Sequence, residues 1–388
     1  MKKKHIIITV IASILSLIII CLGTIFGIWH NEVSSLTSIK KIADSNQEHK
    51  DGVTYEMTIK GDYYLEDFIK QGGVKSDGEL ISFITKNITK GIIPIKIEQP
   101  EIACSSFTAY TNDGDFVFGR NYDFDPTSTA VVHTNPGNGR YKSISTVDLG
   151  FIGVDVNGIN GLMQRVKTLA APYMPLDGIN EKGVACGIYM TYQGSDKTVA
   201  TNQMTDKPDI TSTTLLRLIL DYADDVNEAI EIAKHFDMHD SANTSFHYMV
   251  ADKKGNSVIL EWVGESESTD NDGSKRHLNI LKNTKKYQTV TNFILTDNYY
   301  QNDNEKAGLD RYRLLEKRLA DNNGILKTDD EAMKLLSEVG RRTFVTDDNV
   351  SKGTTIHSVV YNLTNLTSYF VPNENYLKET HQFRYSIE

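Results

Sequence analysis

The chain is poor in cysteine and carries no surplus of positive charge. Only Cys21, Cys104 and Cys186 occur in 388 residues. Cys21 lies inside an apolar run, so two thiols remain for the rest of the chain and a disulfide scaffold is excluded. One Cys104–Cys186 bridge stays open as a pairing. The formal net charge is −10. Lys2, Lys3 and Lys4 precede the first apolar run, so the remainder is more acidic still. A general nucleic-acid binder needs a basic face to neutralise phosphates, and this chain lacks the charge for one. No internal repeat and no low-complexity tract is present. With 39% apolar and 24% charged residues, the composition is that of a globular protein.

What is present begins at the N-terminus. No residue from Ile6 to Trp29 is charged, and a bilayer core needs roughly 20 apolar residues. The flanking lysines would stay cytosolic by the positive-inside rule. The expectation is therefore a transmembrane helix over residues 6–29 in a 1–30 anchor or signal segment, with an extracytoplasmic catalytic domain. A cleaved signal peptide is the alternative, giving a released or secreted protein. Residues 31–103 read as a linker and helical pro-segment. Residues 31–60 look polar and linker-like, a helix follows with Ser76 and Glu79 as a capping box, and 92–103 look extended.

The most informative run is CSSFTAYTNDGDFVFGRNYDF, residues 104–124. Its Asn-Asp-Gly-Asp turn tolerates the positive φ angles of a tight hairpin, with strands at 105–110 and 116–120. A hairpin brings Arg120 and Asp123 back beside Cys104. Downstream, strands are expected at 184–192, 246–250, 257–263, 355–362 and 366–371. Helices are expected at 212–235, 311–319 and 328–340, the last opened by Thr328 and Glu331. Antiparallel pairs with helices between them suggest a layered α+β domain over 104–388.

Together, Cys104, GRNYDF (119–124), NEKGVACGI (180–188), VTNF (290–293), DRYRLL (310–315) and TTIHSVVYNLTNLTSYF (354–370) resemble the choloylglycine hydrolase family of linear amide C–N hydrolases. This family of N-terminal-nucleophile (Ntn) hydrolases includes bile salt hydrolases, penicillin V acylases and acid ceramidase-like amidases. The resemblance implies a four-layer αββα sandwich of antiparallel sheets. It also implies hydrolysis of a small-molecule N-acyl amide, such as a conjugated bile salt, penicillin V or a fatty N-acyl amide. Acyl transfer from the same site, or a non-catalytic binding protein with this fold, are the alternatives.

In such a site the nucleophile's own α-amine, with a pKa of about 7.7–8.0, accepts the thiol proton, so no histidine is needed. The resemblance gives Arg120 the thiolate, Asp123 the α-amine, and Asn180 and Asn292 the oxyanion. Arg311 matches the second arginine, with Arg313 still open. Because Cys104 is internal, the Ala103–Cys104 bond must break first. No cofactor is called for. No metal is either, since His235 and His239, four apart, have no third ligand nearby in sequence. A homo-oligomer is left open. The stretch 124–175, with Phe151, Ile152, Met163 and Tyr173, is expected to line the acyl pocket.

Overall fold

The computed structural model describes residues 29–46, 51–88, 91, 103–194, 197–342 and 354–387, together with residues 11, 13–17, 23 and 27. Two sheets dominate. The larger has nine strands: β1 (Lys40–Ala43), β2 (Thr54–Lys60), β5 (Thr129–Asn135), β6 (Ser143–Asp148), β7 (Asp177–Asn180), β8 (Val184–Met190), β11 (Phe246–Asp252), β12 (Ser257–Val263) and β13 (His277–Lys282), in that spatial order. All neighbours in it are antiparallel except β2 and β5. The second has the order β14 (Gln288–Val290), β3 (Ala103–Thr111), β4 (Phe116–Phe124), β16 (Thr354–Asn362), β17 (Thr367–Pro372) and β18 (Phe383–Ser386), with β15 (Ile325–Leu326) also on β3. A parallel pair, β9 (Asp209–Thr211) and β10 (Asp237–His239), stands apart.

Strands β8, β11 and β12 are buried along their whole length. That matches their near-continuous apolar sequences, because a strand covered on both faces does not alternate. One core lies between the sheets, where Tyr122 and Phe370 flank His357 and Arg120 reaches across to Tyr189 of the large sheet. Helices Ser212–Tyr222 and Val226–His235 pack on the outer face of the large sheet. Helices Leu309–Asp321 and Asp329–Glu338 cover the outer face of the small one through Phe107, Val117, Leu315 and Leu336. The layers therefore run α, β, β, α.

Both capping boxes form in a shifted way. Ser76 accepts from the Glu79 amide, but the Glu79 carboxylate takes the Lys75 amide, one residue early. Thr328, Glu331 and Lys327 repeat the pattern. The stretch expected as one helix over 212–235 breaks after Tyr222, and Asp225 restarts it by accepting from the Asn227 and Glu228 amides. Residues 31–60, read as linker, carry helix His30–Ser38 and two strands. Tyr55, Met57 and Ile59 alternate inward along β2.

The expected N-terminal transmembrane helix, and with it membrane anchoring and an extracytoplasmic location, is corrected here. Among the described residues no helix is long and apolar enough to cross a membrane. Helix His30–Ser38 has nine residues and carries Glu32, against the roughly 20 apolar residues a bilayer core demands. Most of residues 6–29, and the extended stretch expected at 92–102, lie outside the described residues.

Candidate active site

The β3–β4 hairpin is the frame of the site. Its register sets Cys104 opposite Tyr122, Ser106 opposite Arg120 and Ala103 opposite Asp123. Side chains alternate between faces along a strand. Cys104, Ser106, Arg120 and Tyr122 therefore enter the core between the sheets. Asn121 and Asp123 face the helical layer, where Asn121 donates to the Leu336 carbonyl.

Every heteroatom of Cys104 has a partner. Its backbone N–H donates to Asn292 Oδ1 at 2.8 Å. Its sulfur lies 3.5 Å from Arg120 Nη2. Its carbonyl accepts from Arg311 Nη1 at 2.8 Å. Arg311 also ties the site together, with Nη1 3.0 Å from Asp123 Oδ2 and Nη2 2.9 Å from Asn292 Oδ1. Arg313 points outward to Asp303, so of the two arginines only Arg311 reaches Cys104. Asn292 Nδ2 donates to the Met190 carbonyl at 2.8 Å. The two donors on its oxygen and the acceptor at its nitrogen fix the amide's orientation. Asn292 thus holds the nitrogen of Cys104 with its amide fixed in one orientation.

Asn180 is not brought to this group. It sits at the far end of β7, where its Nδ2 donates to the Ala223 carbonyl and its Oδ1 accepts from the Lys182 and Val184 amides. Those bonds build the β7–β8 turn. The residue at the site end of β7 is Asp177, which the sequence reading missed. Its Oδ2 lies 3.4 Å from Arg120 Nε and 3.0 Å from His357 Nε2, and its Oδ1 accepts from the Tyr361 hydroxyl at 2.6 Å. Arg120 also donates to the Ile188 and Leu176 carbonyls and lies over the Tyr189 ring. Thr355 donates to Asp123 Oδ1 at 2.7 Å. Of the expected acyl-pocket residues, Phe151, Ile152 and Tyr173 are core, and Met163 is 58% exposed. Tyr173 packs on Phe68 and Phe83 and donates to the Tyr63 carbonyl.

The electrostatics follow from depth. Cys104 has no exposed surface in the intact chain. Burial pushes its thiol pKa up, and the Arg120 charge recovers only part of that. Burial also pushes Asp177 up, but Arg120, His357 and the Tyr361 hydroxyl outweigh it and hold the carboxyl below its ordinary value. Asp123 stays raised because Arg311 and Arg341 do not fully offset its burial.

Close approach makes Gly187 part of the site. A Cβ there would stand 2.6 Å from the Tyr189 hydroxyl and 2.8 Å from Arg120 Nη1. Gly187→Ala must therefore displace the Tyr189 hydroxyl and the Arg120 guanidinium, whose other nitrogen faces the sulfur. A displacement near 1 Å costs up to about 100-fold in rate, so kcat/KM should fall about 10- to 100-fold. A loss below twofold would show that Arg120 can shift without consequence.

Tyr122, beside Cys104, donates to Asp148 Oδ2 at 2.8 Å, and Thr127 and the Gly150 amide donate to Oδ1. Burial nevertheless pushes the Asp148 carboxyl up to about 6, against about 3.9 in an unfolded chain. Between those values the folded state holds a proton that the unfolded state has lost. This contribution therefore grows as pH falls from 7 to 5 and is lost as pH rises through 6. Relative to Asp148→Asn, which cannot titrate, the wild type should gain about 1 kcal/mol between pH 7 and pH 5. Denaturant midpoints measure it, and a gap that moves the other way would show that the carboxyl is not raised.

Comparison with known proteins supplies independent findings. The model of a family described as acyl-coenzyme A:6-aminopenicillanic acid acyl-transferase matches residues 110–375. That range takes in Arg120, Asp123, Asn292 and Arg311 and starts after Cys104. The bile salt hydrolase/transferase of Clostridium perfringens is 25% identical over 228 residues, covering 56% of this chain and 62% of that protein. The chain thus spans less than two thirds of that relative's length. Among solved structures, a variant of conjugated bile acid hydrolase from Clostridium perfringens aligns with a TM-score of 0.46 at 16% identity, over 74% of this chain and 97% of that one. Penicillin V acylase from Agrobacterium tumefaciens aligns at 0.45 and 16%, over 69% and 83%.

Proposed function

Since the chain belongs to the acyl-coenzyme A:6-aminopenicillanic acid acyl-transferase family, we propose that it cleaves a linear, non-peptide C–N amide bond of an N-acyl amide, with Cys104 as nucleophile. The observation that carries this reading is the three-point hold on one residue: nitrogen on Asn292, sulfur beside Arg120, carbonyl on Arg311. An ordinary buried cysteine satisfies its backbone through the strand ladder and needs no cation at its sulfur.

Maturation comes first, because the sulfur is wholly buried while the Ala103–Cys104 bond is intact. The Cys104 sulfur attacks the Ala103 carbonyl carbon, and the C–N bond breaks as a thioester forms. Water then cleaves the thioester, leaving a carboxylate on Ala103 and a free thiol and α-amine on Cys104. The N-terminal segment stays on the body after the cut. β2 is a strand of the large sheet, and the Tyr63 hydroxyl donates to both Asp221 carboxylate oxygens between Arg140 and Arg217.

In the mature site the α-amine, held by Asn292 with Asp123 fixing Arg311 beside it, takes the thiol proton. Arg120 favours the thiolate that results. The thiolate attacks the substrate carbonyl, and donors aimed at the tetrahedral oxyanion lower that barrier. The α-ammonium returns its proton to the leaving amine, and an acyl-thioester remains. Water resolves it to an acid. An amine would resolve it to a new amide, and the family description and the name of the Clostridium relative both favour testing this second outcome.

Intact-mass measurement of purified protein should find a chain that starts at Cys104. A panel of glycine- and taurine-conjugated bile salts, penicillin V and N-acyl ethanolamides should identify a substrate, and an added amine should divert product if transfer occurs. A fully active, uncut 388-residue chain refutes the maturation step. No turnover of any panel member favours a binding protein with this fold.

A further inference from the structure

Asn292 lies on an irregular stretch after β14, yet its amide must meet the Cys104 nitrogen within a few tenths of an ångström. A bridge to Tyr192 and the Tyr300 hydroxyl hold part of that stretch, and its flanks are held by a His247–Glu261 contact that the chemistry above does not use. His247 on β11 and Glu261 on β12 are cross-strand partners, and both are buried. His247 Nδ1 is 2.9 Å from Glu261 Oε1. His247 Nε2 lies 2.8 Å from the Thr291 carbonyl. A carbonyl only accepts, so Nε2 carries the hydrogen that faces it. Glu261 grips the other side of Asn292. Its Oε1 accepts from the Leu295 amide at 2.8 Å, and its Oε2 from the Thr296 amide at 3.0 Å and the Thr296 hydroxyl at 2.8 Å.

We propose that His247 and Glu261 are positioning residues for Asn292, setting where its amide stands relative to Cys104. The pair fixes the backbone one residue before Asn292 and three and four residues after it. It sits on two neighbouring strands of the large sheet, whereas Asn292 follows a strand of the small one. The contact therefore also transmits the spacing of the two sheets to the nucleophile. Buried polar groups with every partner in place make a rigid support.

The assignment rests on the reading that Asn292 serves Cys104, and the test separates the two. Hydrogen exchange needs no substrate. Glu261→Gln should speed exchange of the Leu295 and Thr296 amides at least tenfold and leave the Val258 and Leu260 amides unchanged. In turnover, Glu261→Gln should lower kcat about 10- to 100-fold with KM within threefold. His247→Gln, which keeps a donor for Thr291, should retain more activity than His247→Leu. In an Asn292→Ala background, Glu261→Gln should cost less than twofold, because a residue acting through Asn292 has nothing left to lose. Equal losses with and without Asn292, or unchanged exchange at Leu295 and Thr296, overturn the assignment. Faster exchange in a protein that turns over no amide keeps the assignment and defeats the hydrolase reading.

Discussion

Cys104→Ala is expected to yield a folded, uncut 388-residue chain whose turnover is lower by on the order of 10⁴-fold or more, the usual cost of losing a nucleophile. The fold should survive because the substitution removes one sulfur atom and nothing else. The Cys104 N–H still reaches Asn292 and its carbonyl still reaches Arg311. Arg120 loses its contact with sulfur but keeps Asp177 and two backbone carbonyls. Cys186 is the internal control. It is equally buried, its thiol is pushed far up by that burial, and it has no comparable set of partners. Cys186→Ala should cost less than about threefold, as expected for a small core residue. Intact mass and a single-substrate assay read both variants. Equal turnover by wild type and Cys104→Ala removes this sulfur from the reaction.

The frame of the site was legible in the sequence because it is local. The Asn-Asp-Gly-Asp turn and its flanking apolar residues specify the hairpin, and the hairpin brings residues 16 and 19 positions downstream back to Cys104. Parity along β4 carries further information. Residues 120 and 123 differ by an odd number, so one must face the inter-sheet core and the other the helices. Arg120 accordingly meets the Cys104 sulfur, whereas the Asp123 carboxylate reaches Cys104 only through Arg311, and their partners differ, Asp177 and Arg311. Asn180 could be read two ways, since an asparagine before Glu-Lys-Gly is also a good turn residue, and the turn won. Asp177, Thr355 and the His247–Glu261 pair arrive from remote strands, and only sheet packing places them. β2 was readable in principle from the alternation of Tyr55, Met57 and Ile59, but its polar surroundings masked it. The membrane expectation rested on apolar length and the flanking lysines, and no helix among the described residues is long and apolar enough to cross a membrane.

Asp177→Leu should be the most destabilising single change near the site, and it separates stability from chemistry. The carboxylate and the Arg120 guanidinium have no exposure. Removing one partner leaves an uncompensated charge in the core, which costs about 3–5 kcal/mol. The Tyr361 hydroxyl also loses its acceptor and His357 Nε2 keeps only Thr146 Oγ1, so the loss should fall at the upper end of that range. Replacing both charges with apolar groups of similar size is far less costly. Arg120→Met/Asp177→Leu should therefore unfold at a higher denaturant concentration than Asp177→Leu alone, and the two substitutions should be strongly non-additive, as contacting residues are. Activity should move the other way. The double variant has no cation beside the sulfur, and burial already pushes the thiol up. It should stay inactive although its fold is restored. Arg120→Lys tests the geometry of the cation, because an ammonium cannot reach Asp177, Ile188, Leu176 and the sulfur together, as the fork does. If the double variant recovers turnover along with stability, Arg120 serves the core and not the thiolate.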